Sequence, residues 1–260
     1  DLVSSRGLGD VYKRQGLTIP QHERAVATMR IIAHTDDGRN HIDDAAFHYN
    51  GQIAIKIRGS TSRNFLKKQY AFETQKFNGK NLNVPLLGLP AENDWILAAP
   101  YLDRTLMRNV LAYQLHREMG HYAPRTVFCE MVLNRTYMGV FVLTERIKRD
   151  TNRLRFPEVL PEDTVAKSFI IELTHRRKLK ASDNYFNSQF SERPFAIKYP
   201  KNEVLTDAIK DDIKQKLHHF ETVLRSPNFT EPKIGFRSAA DVQSFIAVSY
   251  THLRAHETRP

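Results

Sequence analysis

Alternation between apolar and polar residues dominates the first third of this chain and constrains its fold more than any other feature. The segments RAVATMRIIAHT and DAAFHYNGQIAIKIRG carry short alternating apolar runs, separated by the dipeptide Asn50-Gly51. Because successive side chains of a strand point to opposite faces, this period of two predicts half-buried β-strands. Asn-Gly is a hairpin signal, so we predict a tight turn there. KKQYAFETQ alternates again after a polar loop and predicts a third strand.

Helical periodicity appears in two places further along the chain. In YLDRTLMRNVLAYQLHREMG, Asp103 is placed to cap the helix and Gly120 to end it, with apolar residues at helical spacing between them. LTDAIKDDIKQKLHHFETVLRS predicts a second, longer helix. DVQSFIAV predicts the beginning of a third.

Four more strands are predicted around these helices. TVFCEMVLN and YMGVFVLTERI read as a hairpin that turns at Asn134-Arg135-Thr136, and KSFIIELT and PFAIKYP follow. The polar segment HRRKLKASDNYFNSQFSE has no clear period, which predicts a loop or flap. Strands followed by helices indicate the α+β class, with a β-rich first lobe and a helical second lobe.

Both ends of the chain read as non-native sequence. One DNA string encodes residues 5–15, and its reverse complement encodes residues 248–258. This string resembles a transposase adaptor of sequencing libraries. Two ends of one protein have no reason to be related in this way, and neither end has an apolar period. We therefore expect four segments: adaptor-derived tails at 1–15 and 248–260, a β-rich lobe with one long helix at 16–145, and a partial helical lobe at 146–247.

Charge and composition narrow the classes of partner. The net charge of +10 favours anionic ligands, but the basic residues are scattered, apart from one cluster at Thr174–Lys180, so no nucleic-acid partner is expected. Apolar content of 41% indicates a globular protein, and no apolar run is long enough to predict a transmembrane segment. The single cysteine, Cys129, lies in an apolar run, and we expect it to be buried.

The stretch IRGSTSRNFLKKQYAFE carries the most suggestive chemistry. A strand ends at Arg58, and Gly59 opens a polar loop that leads to two lysines at the start of the next strand. Backbone N–H groups and hydroxyls in such a loop can surround phosphate oxygens, while a lysine on the following strand supplies a point charge. A polar hairpin with exposed lysines is the alternative. The polar side chains concerned are Ser60, Thr61, Ser62, Arg63, Lys67 and Lys68.

Three charged residues elsewhere are candidates for separate roles. Asp103 and Arg108 lie five positions apart on the predicted helix, too far around for one face. Simple N-capping is the alternative for Asp103, and Arg108 either faces solvent or needs an anionic partner. Glu145 ends a strand where the chain passes between the lobes, and backbone groups there could meet an adenine ring. An ordinary carboxylate at a strand end is the alternative.

Several common catalytic centres are excluded by spacing. No two histidines form the i, i+4 pair with a glutamate that zinc proteases use, and one cysteine cannot build a cysteine-paired zinc site. The GxSxG sequence of serine hydrolases is also absent.

Four blocks in matching order resemble the spore coat protein H (CotH) kinase family. They are RGSTSRNFLKKQYAFET, LLGLPAENDWILAAPYLDRTLMRNVLAYQL, YAPRTVFCEMVLNRTYMGVFVLTERIKRD and FIIEL, from Arg58 to the region of Glu172. DVQSFIAV resembles the helix with which the second half of that family continues. Several long blocks in order are a more specific signal than any single motif above.

The resemblance implies an atypical protein kinase with a protein-kinase-like bilobal fold, secreted by or displayed on a bacterium. Such an enzyme transfers the γ-phosphoryl group of ATP to Ser or Thr of a secreted or surface protein, with Mg²⁺ or Mn²⁺. The loop from Arg58 to Arg63 would lie over the phosphates, and Lys67 or its neighbour Lys68 would be the strand lysine. Arg108 would lie on the inter-lobe helix, and Glu145 would mark the hinge. The candidate nucleotide-binding residues are Arg58, Ser60, Ser62, Arg63, Lys67, Lys68, Arg108 and Glu145.

One departure from the family pattern bears on activity. The family's catalytic Asp and its metal-binding Asp, the latter in a Trp-Asp-x-Asp-like segment, lie downstream of the helix that DVQSFI begins. This chain reaches the adaptor-like sequence first. Phosphoryl transfer needs a metal and a base, so we expect a truncated, inactive piece of a kinase-like enzyme with no catalytic or metal-binding residue. The alternatives are a non-catalytic scaffold of a spore coat or surface assembly, and polyanion binding through Thr174–Lys180.

Overall fold

The computed structural model describes residues 8–12 by their backbone and residues 18–34, 38–45 and 47–244 in full. The predicted tail at 248–260 lies outside these residues, as does most of the predicted tail at 1–15. Two compact units divide the chain between Leu154 and Arg155. None of the helices in the described ranges combines the length and the apolar character needed to cross a bilayer.

The first unit is built on one curved sheet. Its described strands and helix are β1 (Leu8–Tyr12), β2 (Ala25–Ile32), β3 (Tyr49–Arg58), β4 (Gln69–Gln75), β5 (Val84–Leu86), β6 (Leu89–Glu92), β7 (Asp94–Ala98), α1 (Arg108–Glu118), β8 (Thr126–Leu133) and β9 (Thr136–Glu145). The sheet order is β1-β2-β3-β4-β7-β9-β8. Strand β1 pairs antiparallel with β2 and parallel with β8, so the sheet closes on itself. Strands β5 and β6 form a separate pair.

Strand β1 lies within the predicted tail at 1–15, for which the sequence predicts no secondary structure. Its pairs with β2 run from Leu8 opposite Ile32 to Tyr12 opposite Thr28. Pairing uses backbone N–H and C=O groups, which nearly every residue carries, so a segment without an apolar period can still add a strand. The adaptor origin of this tail stays a prediction.

Alternation along the strands places the main core inside the closed sheet. Trp95, Phe72 and Phe141 are fully buried there, and Trp95 donates its indole hydrogen to the Glu92 carbonyl oxygen at 3.0 Å. The only polar atom of the largest core side chain is therefore satisfied. Cys129 is buried and unpaired, as predicted, and burial raises the pKa of its thiol to about 12.

The tight turn predicted at Asn50-Gly51 is wrong. Both residues lie inside β3, where they pair with Arg30 and Met29 of β2, and the connection between the two strands is a long segment instead. The glycine is used for close packing, since a Cβ on Gly51 would lie 2.7 Å from the hydroxyl oxygen of Tyr49. Strand pairing that runs from Ala25 opposite Ile55 to Ile31 opposite Tyr49 outweighs the local turn propensity of the dipeptide.

The hairpin predicted between β8 and β9 is confirmed. Asn134 and Arg135 form its turn with φ angles of 49° and 67°, which is the left-handed backbone that two-residue hairpin turns require. The third residue of the predicted turn, Thr136, already belongs to β9 and pairs with Leu133. Strand β4 also forms where the alternation of KKQYAFETQ predicts it.

Helix α1 begins later than predicted. Asp103 was expected to cap the helix directly, but the helix starts at Arg108, after Leu106 at φ 60°. The Asp103 carboxylate still accepts a hydrogen bond from the Arg108 backbone N–H at 2.9 Å, across a short turn. Gly120, at φ 84°, follows the helix end as predicted.

The second unit packs one long helix on a small sheet. Its described elements are β10 (Ile170–Leu173), β11 (Tyr185–Asn187), β12 (Pro194–Tyr199) and α2 (Asp207–Arg225), with sheet order β10-β12-β11. Ile209, Ile213 and Leu217 on one face of α2 meet Phe186 and Ile197 of the sheet. The predicted loop between β10 and β12 contains β11 and a short 3₁₀ turn, so that prediction is wrong in part. The third predicted helix begins at Val242, and its continuation lies outside the described residues.

Candidate functional site

A cavity of about 340 Å³ lies in the first unit, beside the outer face of the sheet and the start of α1. Leu97 and Leu143 point into the core, so alternation directs their neighbours Ile96 and Val142 outward into the cavity wall. The volume falls within the range of about 300–1,000 Å³ that small-molecule sites occupy. The apolar lining residues are Ile96, Ala98, Ala99, Pro100, Leu106, Val110, Pro124, Val142 and Ile147.

Arg58 gives this cavity an uncompensated positive charge. It is the last residue of β3, and its guanidinium makes no hydrogen bond or ion pair with any residue of the described ranges. Burial lowers the pKa of Arg58, and the neighbouring Arg146 lowers it further, whereas Tyr113 opposes the shift. Because an arginine stays protonated despite such shifts, a half-buried cation is left that an anion would stabilise.

Neutral hydrogen-bonding groups line the same cavity. Burial raises the pKa of Tyr113, and the nearby Arg58 only partly offsets the rise, so the phenol keeps its proton and can donate it. The Thr144 hydroxyl donates to the carbonyl oxygen of Val142 at 3.2 Å. The neutral polar residues of the lining are Gln69, Asn109, Tyr113, Thr126 and Thr144.

Arg146 is a second cation at the cavity, but its charge is already compensated. Its Nη1 atom lies 2.8 Å from Oδ1 of Asp94. Lys148 approaches the other oxygen of the same carboxylate at 2.9 Å and Oε2 of Glu92 at 2.8 Å. Burial alone would raise the pKa of Asp94, yet Arg146 and Lys148 lower it overall. Arg58 is therefore the cation of the cavity that remains available to a ligand.

Glu145 also lines the cavity, but its carboxylate faces two arginines and is fully buried. Its Oε1 atom accepts from Nε of Arg125 at 2.8 Å and from Nη1 of Arg153, while Oε2 accepts from the backbone N–H of Arg125 at 2.9 Å. The Glu145 backbone N–H donates to the Arg125 carbonyl oxygen at 3.1 Å. The carboxylate is thus engaged in holding the strand end.

A divalent cation does not fit the donor set of this cavity. Glu145 is the one carboxylate among the described residues that line the cavity, and both of its oxygens accept hydrogen bonds from arginines. Mg²⁺ and Mn²⁺ prefer carboxylate and water oxygens. Within residues 18–34, 38–45 and 47–244, no group of three or more histidines, cysteines and acids is arranged to hold a metal ion.

The predicted phosphate loop forms a compact turn beside the end of β3. Gly59 has φ 112°, and Ser62 Oγ occupies the space that a Cβ there would need, so glycine is required for this close approach. Backbone bonds from Arg63 to Ser60 and from Phe65 to Ser62 close the turn at 3.2 and 3.3 Å. None of Ser60, Ser62 and Arg63 belongs to the cavity lining.

The two lysines after this loop point to different acceptors. Lys67 Nζ donates to the Val140 carbonyl oxygen at 2.5 Å and lies 4.5 Å from the ring centre of Phe141. Burial lowers the pKa of Lys67. Lys68 Nζ donates to the carbonyl oxygen of Arg63 at 2.6 Å. Neither lysine lines the cavity, so the role of strand lysine stays a prediction for both.

Arg108 and Asp103 are partners, although separate roles were predicted for them. Nε of Arg108 lies 3.4 Å from Oδ1 of Asp103, because Asp103 precedes the helix and is free to fold back onto its first turn. The same carboxylate accepts from the backbone and hydroxyl of Thr105. Arg108 itself stands outside the cavity lining, whereas the next residues of its helix, Asn109 and Val110, belong to it.

The structure therefore brings two of the eight predicted residues, Arg58 and Glu145, to one cavity. Sequence reasoning missed Tyr113 and Arg146, which lie beside Arg58. The signal for Arg146 was its position directly after the strand that Glu145 ends. Tyr113 follows Asn109 by one helical turn, so a helix with one face on the cavity brings both residues there.

A known protein family matches the part of the chain that contains this cavity. The family model described as "CotH kinase protein" matches residues 55–248, which is well over half of the chain. The match begins within β3 and includes every residue that lines the cavity. The comparison with curated proteins finds no match.

Proposed function

Because this chain belongs to the CotH kinase family, we propose that its first unit binds ATP in the cavity beside Arg58. We also propose that the fold is protein-kinase-like and bilobal, and that the reaction of the family is transfer of the γ-phosphoryl group to Ser or Thr of a bacterial secreted or surface protein. Family membership supports the use of a nucleotide and a protein substrate in general terms.

The uncompensated guanidinium of Arg58 is the observation that carries the proposal. A cavity with a largely apolar lining and one unpaired cation suits a ligand that has a planar base and an anionic end. Arginine recognises phosphate through two parallel hydrogen bonds, which a planar guanidinium can donate at once. The neighbouring phenol of Tyr113, which lines the same cavity, adds a hydrogen-bond donor.

We further propose that the chain binds the nucleotide without transferring its phosphoryl group. A base is needed to orient the attacking hydroxyl, and Glu145, the one carboxylate that the described part of the chain contributes to the lining, is held by Arg125 and Arg153. The residues of the cavity thus supply binding and orientation.

Titration calorimetry with ATP, carried out with and without Mg²⁺, tests the binding. We expect saturable binding that Arg58→Met weakens by about tenfold to a hundredfold, because the variant loses its hydrogen bonding to a charged phosphate. Arg177→Met, which removes an exposed arginine of the second unit, is the matched control and should leave the affinity unchanged. Absence of binding under both conditions would reject the proposal and favour the scaffold alternative.

Incubation of the chain with labelled ATP, Mg²⁺ or Mn²⁺ and a Ser/Thr-rich acceptor protein tests the second proposal. We expect no label in the acceptor. Label that appears with this chain and disappears in Lys67→Ala would show that it carries its own catalytic group.

A further inference from the structure

We infer that the cavity binds a nucleotide polyphosphate as the free anion, with no divalent cation between the phosphates and the protein. The inference rests on the proposed nucleotide function and adds the ionic form of the ligand.

The charges of the cavity support a bare anion. Its charged lining residues are Arg58, Arg146 and Glu145. The carboxylate of Glu145 is shared by Arg125 and Arg153, and Arg146 is paired with Asp94. One positive charge, that of Arg58, is left without a partner among the described residues. The ligand that neutralises it must bring negative charge.

A metal-bound nucleotide would satisfy this cavity less well. Mg²⁺ cancels two of the negative charges of ATP and coordinates some of the phosphate oxygens that Arg58 could otherwise use. The metal would also be held near an arginine in a partly desolvated site, where like charges repel more strongly than in water. Among the lining residues that the structure describes, no free carboxylate offsets this repulsion.

Neutral donors complete the anion site without a metal. Tyr113 lies close enough to Arg58 for each to alter the pKa of the other, and its hydroxyl makes no hydrogen bond to a described residue. Asn109 lies one turn earlier on α1 and also lines the cavity. Hydrogen bonds from such groups to phosphate oxygens are stronger than bonds between neutral partners.

Calorimetric titrations of the chain in EDTA and in saturating Mg²⁺ test the inference. With ATP we expect tighter binding in EDTA than in Mg²⁺, and in EDTA we expect affinity to rise from adenosine to AMP to ATP. Arg58→Met should weaken binding in EDTA by about tenfold to a hundredfold. Arg58→Lys should weaken it by less, because lysine keeps the positive charge but cannot donate two parallel hydrogen bonds from a planar group. Tyr113→Phe, which keeps the ring, should weaken it by about twofold to tenfold.

The outcomes separate this inference from the proposed function. Binding that requires Mg²⁺ would overturn the inference and leave the nucleotide function in place. Binding in neither condition would overturn both. Equal affinity for adenosine and ATP in EDTA would also overturn the inference, since the phosphates would then contribute nothing. Far-UV circular dichroism of each variant shows whether its fold is intact, and Tyr113→Phe keeps the test decisive if Arg58→Met unfolds.

Discussion

The guanidinium of Arg153 lies over the indole ring of Trp95, with 4.7 Å between its Cζ atom and the ring centre. Neither side chain is exposed to solvent, and Arg153 also pairs with Glu145. Trp95 and Glu145 face each other in the register of β7 and β9. Arg153 thus links the segment that follows β9 to β7 and β9, the two strands that form a wall of the cavity.

Glu145→Ala should destabilise the first unit strongly. The substitution leaves the guanidinium of Arg153 buried without its counter-charge, and breaking a buried ion pair in this way costs about 3–5 kcal/mol. Urea denaturation followed by the fluorescence of Trp95, the single tryptophan of the chain, measures the loss directly. Glu118→Ala on the exposed side of α1 is the control, with an expected change within about 0.5 kcal/mol. Equal losses in both variants would refute the structural role of Glu145.

Gly51→Ala tests whether close packing, and not turn geometry, requires the glycine in β3. Alanine is ordinarily better than glycine within a strand by roughly 0.5–1 kcal/mol. Here its Cβ would lie 2.7 Å from Oη and 2.9 Å from Cζ of Tyr49, so we expect a net loss of about 1–3 kcal/mol in the free energy of unfolding. In a Tyr49→Ala background the same change should cost less, and a cost unaffected by this background would contradict the packing argument.

Sequence patterns predicted the fold where one local rule decides the structure. The turn at Asn134 and Arg135 formed with asparagine, which tolerates left-handed backbone, at its first position, and α2 lies within the segment whose helical period predicts a long helix. The prediction failed at Asn50-Gly51, where pairing with β2 outweighed local propensity. Strand β7 was missed, because it is buried on both faces and shows a continuous apolar run in place of alternation.

The site was less predictable than the fold, for a physical reason. A sequence shows that Arg58 follows a strand, but not that its head lacks a counter-ion, which depends on residues far along the chain. Arg146 is neutralised by Asp94, more than fifty residues away, while Arg58 is not neutralised within the described chain. Such differences arise only when the sheet brings β3, β7 and β9 together.

Asp94→Asn should flatten the dependence of stability on acid pH. The pKa of Asp94 is lowered in the folded state, because Arg146 and Lys148 outweigh the effect of burial. A lowered pKa stabilises the fold above the ordinary value of 3.8, and this stabilisation is lost as the pH falls through the folded value.

Thermal melts of the two proteins from neutral pH to below 3.8 measure this difference. Wild type should be the more stable near neutrality, and the gap should narrow as Asp94 takes up its proton. Curves that stay parallel over the whole range would show that Asp94 does not contribute through its charge.

Asp103→Ala should loosen the start of α1 and weaken the nucleotide site together. The carboxylate accepts from the Arg108 backbone at 2.9 Å and from the Thr105 backbone at 3.0 Å, so its loss should cost about 0.5–2 kcal/mol, as for other helix caps. The helix it fixes carries Tyr113 into the cavity, and ATP should therefore bind less tightly. Thr206→Ala is the matched control, since Thr206 caps α2 in the second unit by accepting from the Ile209 backbone at 3.3 Å. It should cost similar stability in its own unit and leave ATP affinity unchanged, whereas equal effects of both variants on affinity would show that the cap of α1 does not position the site.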